Sequence, residues 1–167
     1  MSVHYLAEHA QAVVQSLALA HKEAKHLRYS QTTLFALSVD LVWVENLAAQ
    51  PALAEKVEAF VSRFGRLQDH LGEKLLPRYA ALVGESPKTF IDTLSFAERA
   101  EVLRDADAFL AARKLRDALV HEYMHYARVF LESLHEANKA CWLFFDTIDR
   151  IVSELKRLGL LPDSQRP

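Results

Sequence analysis

Pro51-Ala-Leu-Ala-Glu-Lys-Val-Glu-Ala-Phe60-Val-Ser-Arg-Phe-Gly-Arg-Leu-Gln-Asp-His70-Leu-Gly-Glu-Lys-Leu75 places an apolar side chain every three or four residues. Leu53, Val57, Phe60, Phe64, Leu67, Leu71 and Leu75 form one stripe, with charged residues between them, which predicts a long amphipathic helix. Pro51 suits its first turn, where a missing N–H costs nothing. Gly65 costs about 1 kcal/mol relative to Ala in mid-helix, tolerable where a neighbouring helix packs closely. Pro77 lacks a donor and its ring presses on the carbonyl of Glu73, predicting a kink or an end there.

The same period extends outward in both directions. Leu6, Val13, Leu17, Ala20 and Leu27 predict a helix over 2–28. Tyr29-Ser30-Gln31-Thr32 reads as a turn, with Ser30 or Thr32 capping a second helix to about Gln50. After the loop Gly84-Glu85-Ser86-Pro87, Ser86 is the expected cap and Pro87 the first helical position. Residues 88–103 read as a connector of one short helix or two, since Ser95 to Glu98 fits a capping box. Asp105 and Asp107 suit the start of a helix from about 108 to 123. A last helix over about 125–158 carries Phe130, Leu134, Ala137, Cys141, Phe144, Ile148, Ile151 and Leu155 in register and stops at Gly159 and Pro162. No segment alternates as a strand. The expectation is an all-α antiparallel bundle of four to five long helices plus a short connector helix, one domain over 1–167.

Composition narrows the class. About half the residues are apolar and a quarter charged, which fits an ordinary folded domain. Four Gly and five Pro are few enough to favour long helices over a turn-rich β fold. The net charge of −2 leaves no global basic surplus, so nucleic acid would be held by a local patch. One cysteine, Cys141, precludes an intrachain disulfide and fits a reducing compartment. Residues 10–20 lack a cationic flank, with Glu8 in its place, and no apolar run approaches a membrane span. A cytoplasmic protein without membrane partner is expected.

The chemistry concentrates in Arg113-Lys-Leu-Arg116-Asp-Ala-Leu-Val-His121-Glu-Tyr123-Met-His125-Tyr126. A spacing of Arg-x4-His-x-Tyr arises by chance roughly 0.02 times in a chain of this composition. Arg116 and Tyr123 share a helical face, whereas His121 lies about 140° round and roughly 7.5 Å along from Arg116. One straight helix therefore does not aim both at one phosphate. A two-fold homodimer would, by setting a second copy alongside.

His121-Glu122-Tyr-Met-His125 also matches the two-histidine spacing of zinc peptidases. Three features oppose it: no strand to hold a peptide substrate, Arg128 and Leu131 where the extended motif needs Gly and His, and no marked third ligand beyond Asp146 or Glu136. Glu122-x-x-His125 and Glu132-x-x-His135 mimic di-iron ligand pairs, but fall on one helix instead of two. No metal or cofactor is expected.

Arg116-Asp117-Ala-Leu-Val-His121-Glu-Tyr123 resembles the Arg-x4-His-x-Tyr motif of HEPN-domain ribonucleases, specifically the HepT-type toxins paired with minimal nucleotidyltransferase antitoxins. Phe64 to Pro77 resembles a segment those toxins carry on an earlier helix, and Phe90 to Leu103 falls at their connector, so the likeness covers about residues 30–155. Asp117 stands where the family often has Asn. The resemblance implies a dimeric helical bundle that cleaves RNA without metal at its two-fold interface. It implies catalytic Arg116 and His121, supporting Asp117 and Tyr123, and AMPylation of Tyr123 by the antitoxin. Arg113, Lys114, Arg66 and Lys74 are candidate RNA-backbone contacts. A HEPN subunit that docks on a nucleotidyltransferase without cleaving is the alternative, and a zinc peptidase the remote one.

Overall fold

The computed structural model describes residues 4–122 and 126–162, positions 121 and 122 by backbone alone. A 3-10 turn (Ala7–His9) leads into α1 (Ala10–Phe35). Then come α2 (Leu41–Glu45), a second 3-10 turn (Leu47–Ala49) and α3 (Pro51–His70). A π-helical stretch (Leu71–Leu75) passes into α4 (Leu76–Leu82), followed by α5 (Phe90–Arg99), α6 (Ala106–Glu122) and α7 (Ala127–Arg157). The described residues contain no strand, and the chain is an all-α bundle.

Cross-helix contacts fix the directions. Ser16 of α1 meets His70 of α3 while Ser30 meets Arg63, so those two run antiparallel. Gly65 faces Arg116 and Gly72 faces Phe109, giving the same relation between α3 and α6. Arg104 with Asp146 and Phe109 with Phe144 reverse α7 against α6. Arg28 on Phe145 and Gln31 on Asn138 close the ring from α7 back to α1. Four long helices thus alternate in direction around one core.

The core is strung on aromatic rings. Phe35 meets Phe60 at 5.3 Å, Phe64 meets Phe144 at 5.1 Å, and Phe144 meets Phe109 at 5.7 Å. The opening stripe is the centre of it: Val57, Phe60, Phe64, Leu67, Leu71 and Leu75 are all fully buried. Each contributes about 1.5–3 kcal/mol by leaving water.

Several expected boundaries move, each for a local reason. The turn placed at Tyr29 to Thr32 lies inside α1, and the helix expected from about 32 to 50 is not formed as one element. Ser30 is buried and accepts from Arg63 Nη1 at 2.7 Å, while Thr33 Oγ1 donates to the Tyr29 carbonyl at 3.0 Å. Hydroxyls bonded this way are compatible with a continuing helix. The cap that operates is Asp40, accepting from the Trp43 N–H at 2.9 Å. Thr89, not Ser86, caps α5, accepting from the Asp92 N–H. The connector is one helix, because Glu98 reaches forward and accepts from the Ala106 N–H at 2.6 Å. With Asp105 accepting from the Ala108 N–H, it starts α6 two residues earlier than expected. The helical path does not end at Pro77: the π-helical turn ahead of it accommodates the missing donor and the ring.

Candidate functional site

Arg116 sits on the middle of α6, on the side that meets α3. Its Nη1 donates to Asp69 Oδ1 at 2.8 Å, a charge-assisted bond across the seam. Its stem lies over Gly65, where an added Cβ would come within 3.1 Å of Nε and 3.3 Å of Cγ. The glycine expected to need a close neighbour has one, and that neighbour is the candidate phosphate-binding side chain. A bidentate fork with one edge fixed by Asp69 keeps further N–H donors for a second ligand.

The seam opens here into a cleft of about 530 Å³. Glu58, Val61, Arg66 and Asp69 on α3 face Arg116, Leu119 and Val120 on α6. Val120 is well exposed and gives the outer lip an apolar character. Burial pushes the Asp69 carboxyl above its ordinary value, against the pull of the Arg116 guanidinium; Glu73 pushes the same way as burial, Arg113 opposes, and Asp117 adds a smaller push. One helical turn below, Arg113 lies over the Phe90 ring at 4.2 Å, with Nη2 3.8 Å from Glu73 Oε1.

Of the residues expected from sequence, the cleft brings together Arg116 and Arg66. Arg113 is on the same seam but beside Glu73 and Phe90. Lys114 and Asp117 are exposed on α6 and do not line the cleft. Lys74 is exposed, and its charge acts on Glu23 of α1, on the other side of α3. His121 occupies the last turn of α6, but its side chain lies outside the described residues, as do the side chain of Glu122 and all of Tyr123, Met124 and His125. Apart from Arg66, Arg116 and the close-packing Gly65, the cleft-lining residues, Asp69 among them, carry no individual signal in the sequence. Asp69 lies four residues beyond Gly65, within the Phe64–Pro77 segment, which was the available signal.

Among the described residues no three His, Cys, Asp or Glu side chains are grouped to hold a metal ion. Three side chains of the alternative metal patterns have partners elsewhere. His135 Nε2 bonds the Val39 carbonyl at 2.9 Å, Asp146 accepts from Arg150 at 2.8 Å, and Glu136 accepts from Lys139 at 3.3 Å.

Fold and site together define an antiparallel helical bundle with a guanidinium-bearing cleft in the α3–α6 seam. The chain matches no protein-family model, no curated protein and no solved structure.

Proposed function

We propose that this chain is a metal-independent endoribonuclease of the HEPN type, the toxin of a toxin–antitoxin pair. One observation carries the reading: Arg116, the arginine of the Arg-x4-His-x-Tyr motif, stands in an open cleft with its guanidinium aimed by Asp69 and Arg66 opposite. A fixed guanidinium is the group that binds a phosphodiester and stabilises the charge that builds on its oxygens. His121 supplies proton transfer near neutrality. The nucleophile is the 2′-OH of the RNA itself: its oxygen bonds to phosphorus as its proton passes to imidazole, and the bond to the 5′-oxygen breaks as that oxygen takes a proton from imidazolium. The products are a 2′,3′-cyclic phosphate and a 5′-hydroxyl, and DNA is not cut. Two copies related by a two-fold axis provide the composite site that the angular offset of Arg116 and His121 calls for. A nucleotidyltransferase antitoxin silences it by placing AMP on Tyr123.

Cleavage of a single-stranded RNA against its all-deoxy counterpart tests the reading. Arg116→Ala and His121→Ala should each lower the rate at least about 100-fold. Helicity should stay unchanged, since the Arg116–Asp69 pair is half-exposed and contributes little to stability. Equal cutting of DNA, or activity lost to a chelator and restored by Zn²⁺, would overturn it in favour of a metal site at His121 and His125.

A further inference from the structure

Arg66 belongs to two clefts at once. On one side it faces Arg116 across the α3–α6 seam. On the other it lines a smaller hollow between α1 and α3 with Arg63, His26 and Glu23. The outer face of α1 continues from that hollow with Lys22, Lys25 and Arg28, all exposed, and with Tyr29, two-thirds exposed. Ala24 and Leu27 turn inward, and the large apolar groups left exposed along this stretch of α1 are Leu19, one turn before Lys22, and the Tyr29 ring.

The charge of this face is open to a ligand. Arg104, Arg113, Arg116, Arg150 and Arg157 each pair with a carboxylate within 4.0 Å; among the described residues no such pair is formed by Lys22, Lys25, Arg28, Arg63 or Arg66. Glu23 is the one acidic residue of the segment 21–29, and its Oε2 is closed off from solvent. Arg63 is pinned by bonds to Ser30 Oγ and the His26 carbonyl, which aims it along the groove. From α6 across α3 to α1 is two interaxial spacings, about 16–20 Å. A row of cations beside an exposed aromatic ring is how sequence-independent single-strand surfaces are built.

We infer that the α1–α3 face is a binding track for single-stranded RNA that continues the Arg116 cleft. The sugar–phosphate backbone passes from Arg116 over Arg66 and Arg63 to Lys22 and Lys25, and Tyr29 offers a ring for a base to stack on. The choice of RNA as occupant rests on the ribonuclease reading of the cleft; the cationic face itself does not. An anionic membrane fits less well, because Leu19 and Tyr29 are isolated groups and not the broad apolar face that inserts into a bilayer.

The experiment is fluorescence anisotropy of a labelled uridine oligonucleotide of about 15 residues, near the upper site size of one small domain, titrated with the full chain over a range of salt. Removing one phosphate-binding cation lowers the magnitude of the log K against log salt slope by about 0.7. Lys22→Ala with Lys25→Ala should lower it by about 1.4 and weaken low-salt binding roughly tenfold. Alanine favours helix, so the circular dichroism and Tm of the double variant should match wild type. Lys139→Ala, on α7, should leave the slope alone. An unchanged slope in the double variant overturns the track, as does tighter binding to phosphatidylserine vesicles than to the oligonucleotide. The two readings fail separately. Lysine-dependent RNA binding by a protein that cleaves nothing leaves the track standing and removes the nuclease; cleavage with an unchanged slope does the reverse.

Discussion

The two flanks of α3 use polar side chains in opposite ways. Toward α1, His70 is buried and bonds the Ser16 carbonyl through Nε2 at 2.8 Å, with Ser16 Oγ at 3.2 Å. Toward α6, Asp69 and Glu73 face Arg116 and Arg113 in a seam that stays open to solvent. At His70 the first flank satisfies its polar groups inside the protein and closes over them, whereas a little further along it opens into the small hollow of Glu23, His26, Arg63 and Arg66. The second keeps paired charges within reach of a ligand, and its close approach depends on two positions without side chains, Gly65 and Gly72. The buried His70 end of α3 thus holds the bundle together, while Arg66 and Asp69 keep charge within reach of solvent.

Overfilling the open flank should have the largest effect. A Cβ at Gly72 would stand 2.8 Å from the partly buried Phe90 ring and 3.1 Å from the Phe109 ring, which is fully buried in the core. Gly72→Val should cost about 3 kcal/mol, the upper end for overpacking. Thermal unfolding should then drop by at least about 6 °C. A Tm within 2 °C of wild type, a shift of under about 1 kcal/mol, would mean that the seam has slack that the close glycine contacts do not suggest.

At the buried contact with α1, His70→Leu keeps an apolar body of similar bulk but removes the bonds to Ser16. Its cost should be about 2 kcal/mol in urea unfolding, the range for a buried hydrogen bond removed from one side. RNA cleavage should be unaffected, because His70 is on the flank away from Arg116. Loss of cleavage without loss of stability would erase the distinction between the two flanks.

Where periodicity was long, the fold was legible. The stripe from Leu53 to Leu75 and the series from Phe130 to Leu155 set α3 and α7 unambiguously, because seven or eight apolar side chains in register leave a helix no other face to bury. Boundaries carried by single polar residues were less legible. Ser30 and Ser86 have the chemistry of caps, yet Ser30 is held by an arginine 33 residues away and Ser86 loses the role to Thr89. Glu98, placed in a capping box of its own helix, serves the next one. Local pattern cannot register a partner supplied by tertiary contact.

The site was legible in part for the same reason. Arg116 stood out through its spacing to His121 and Tyr123, and the structure puts it in a cleft. Its partner Asp69 is 47 positions away, and no period links the two. Lys74 shows the converse: it lies in the right segment, but the helical turn carries it toward Glu23 and α1. The helical path thus leaves Arg66 between the two surfaces and turns Lys74 to the α1 side.

The smallest effect concerns the sign of Asp69, and it sharpens the comparison most. An ion-paired carboxylate is ordinarily expected to have a depressed pKa, so that the protein loses stability on acidification. Here burial outweighs the guanidinium and the pKa lies above the ordinary 3.8. The folded state therefore holds that proton more tightly than the unfolded chain does. This carboxyl contributes most when protonated, and its contribution is lost as pH rises through the range just above 3.8. Asp69→Asn removes the titration while keeping a hydrogen-bond acceptor for Arg116. At neutral pH the two proteins should differ by no more than about 1 kcal/mol, as for other half-exposed pairs. As pH falls toward 4, the Tm of wild type should rise relative to the variant. Parallel curves would mean burial and attraction cancel. A wild type that instead loses ground on acidification would show the guanidinium dominating, and the open flank would then be an ordinary salt bridge, not a charge pair held partly desolvated beside a cleft.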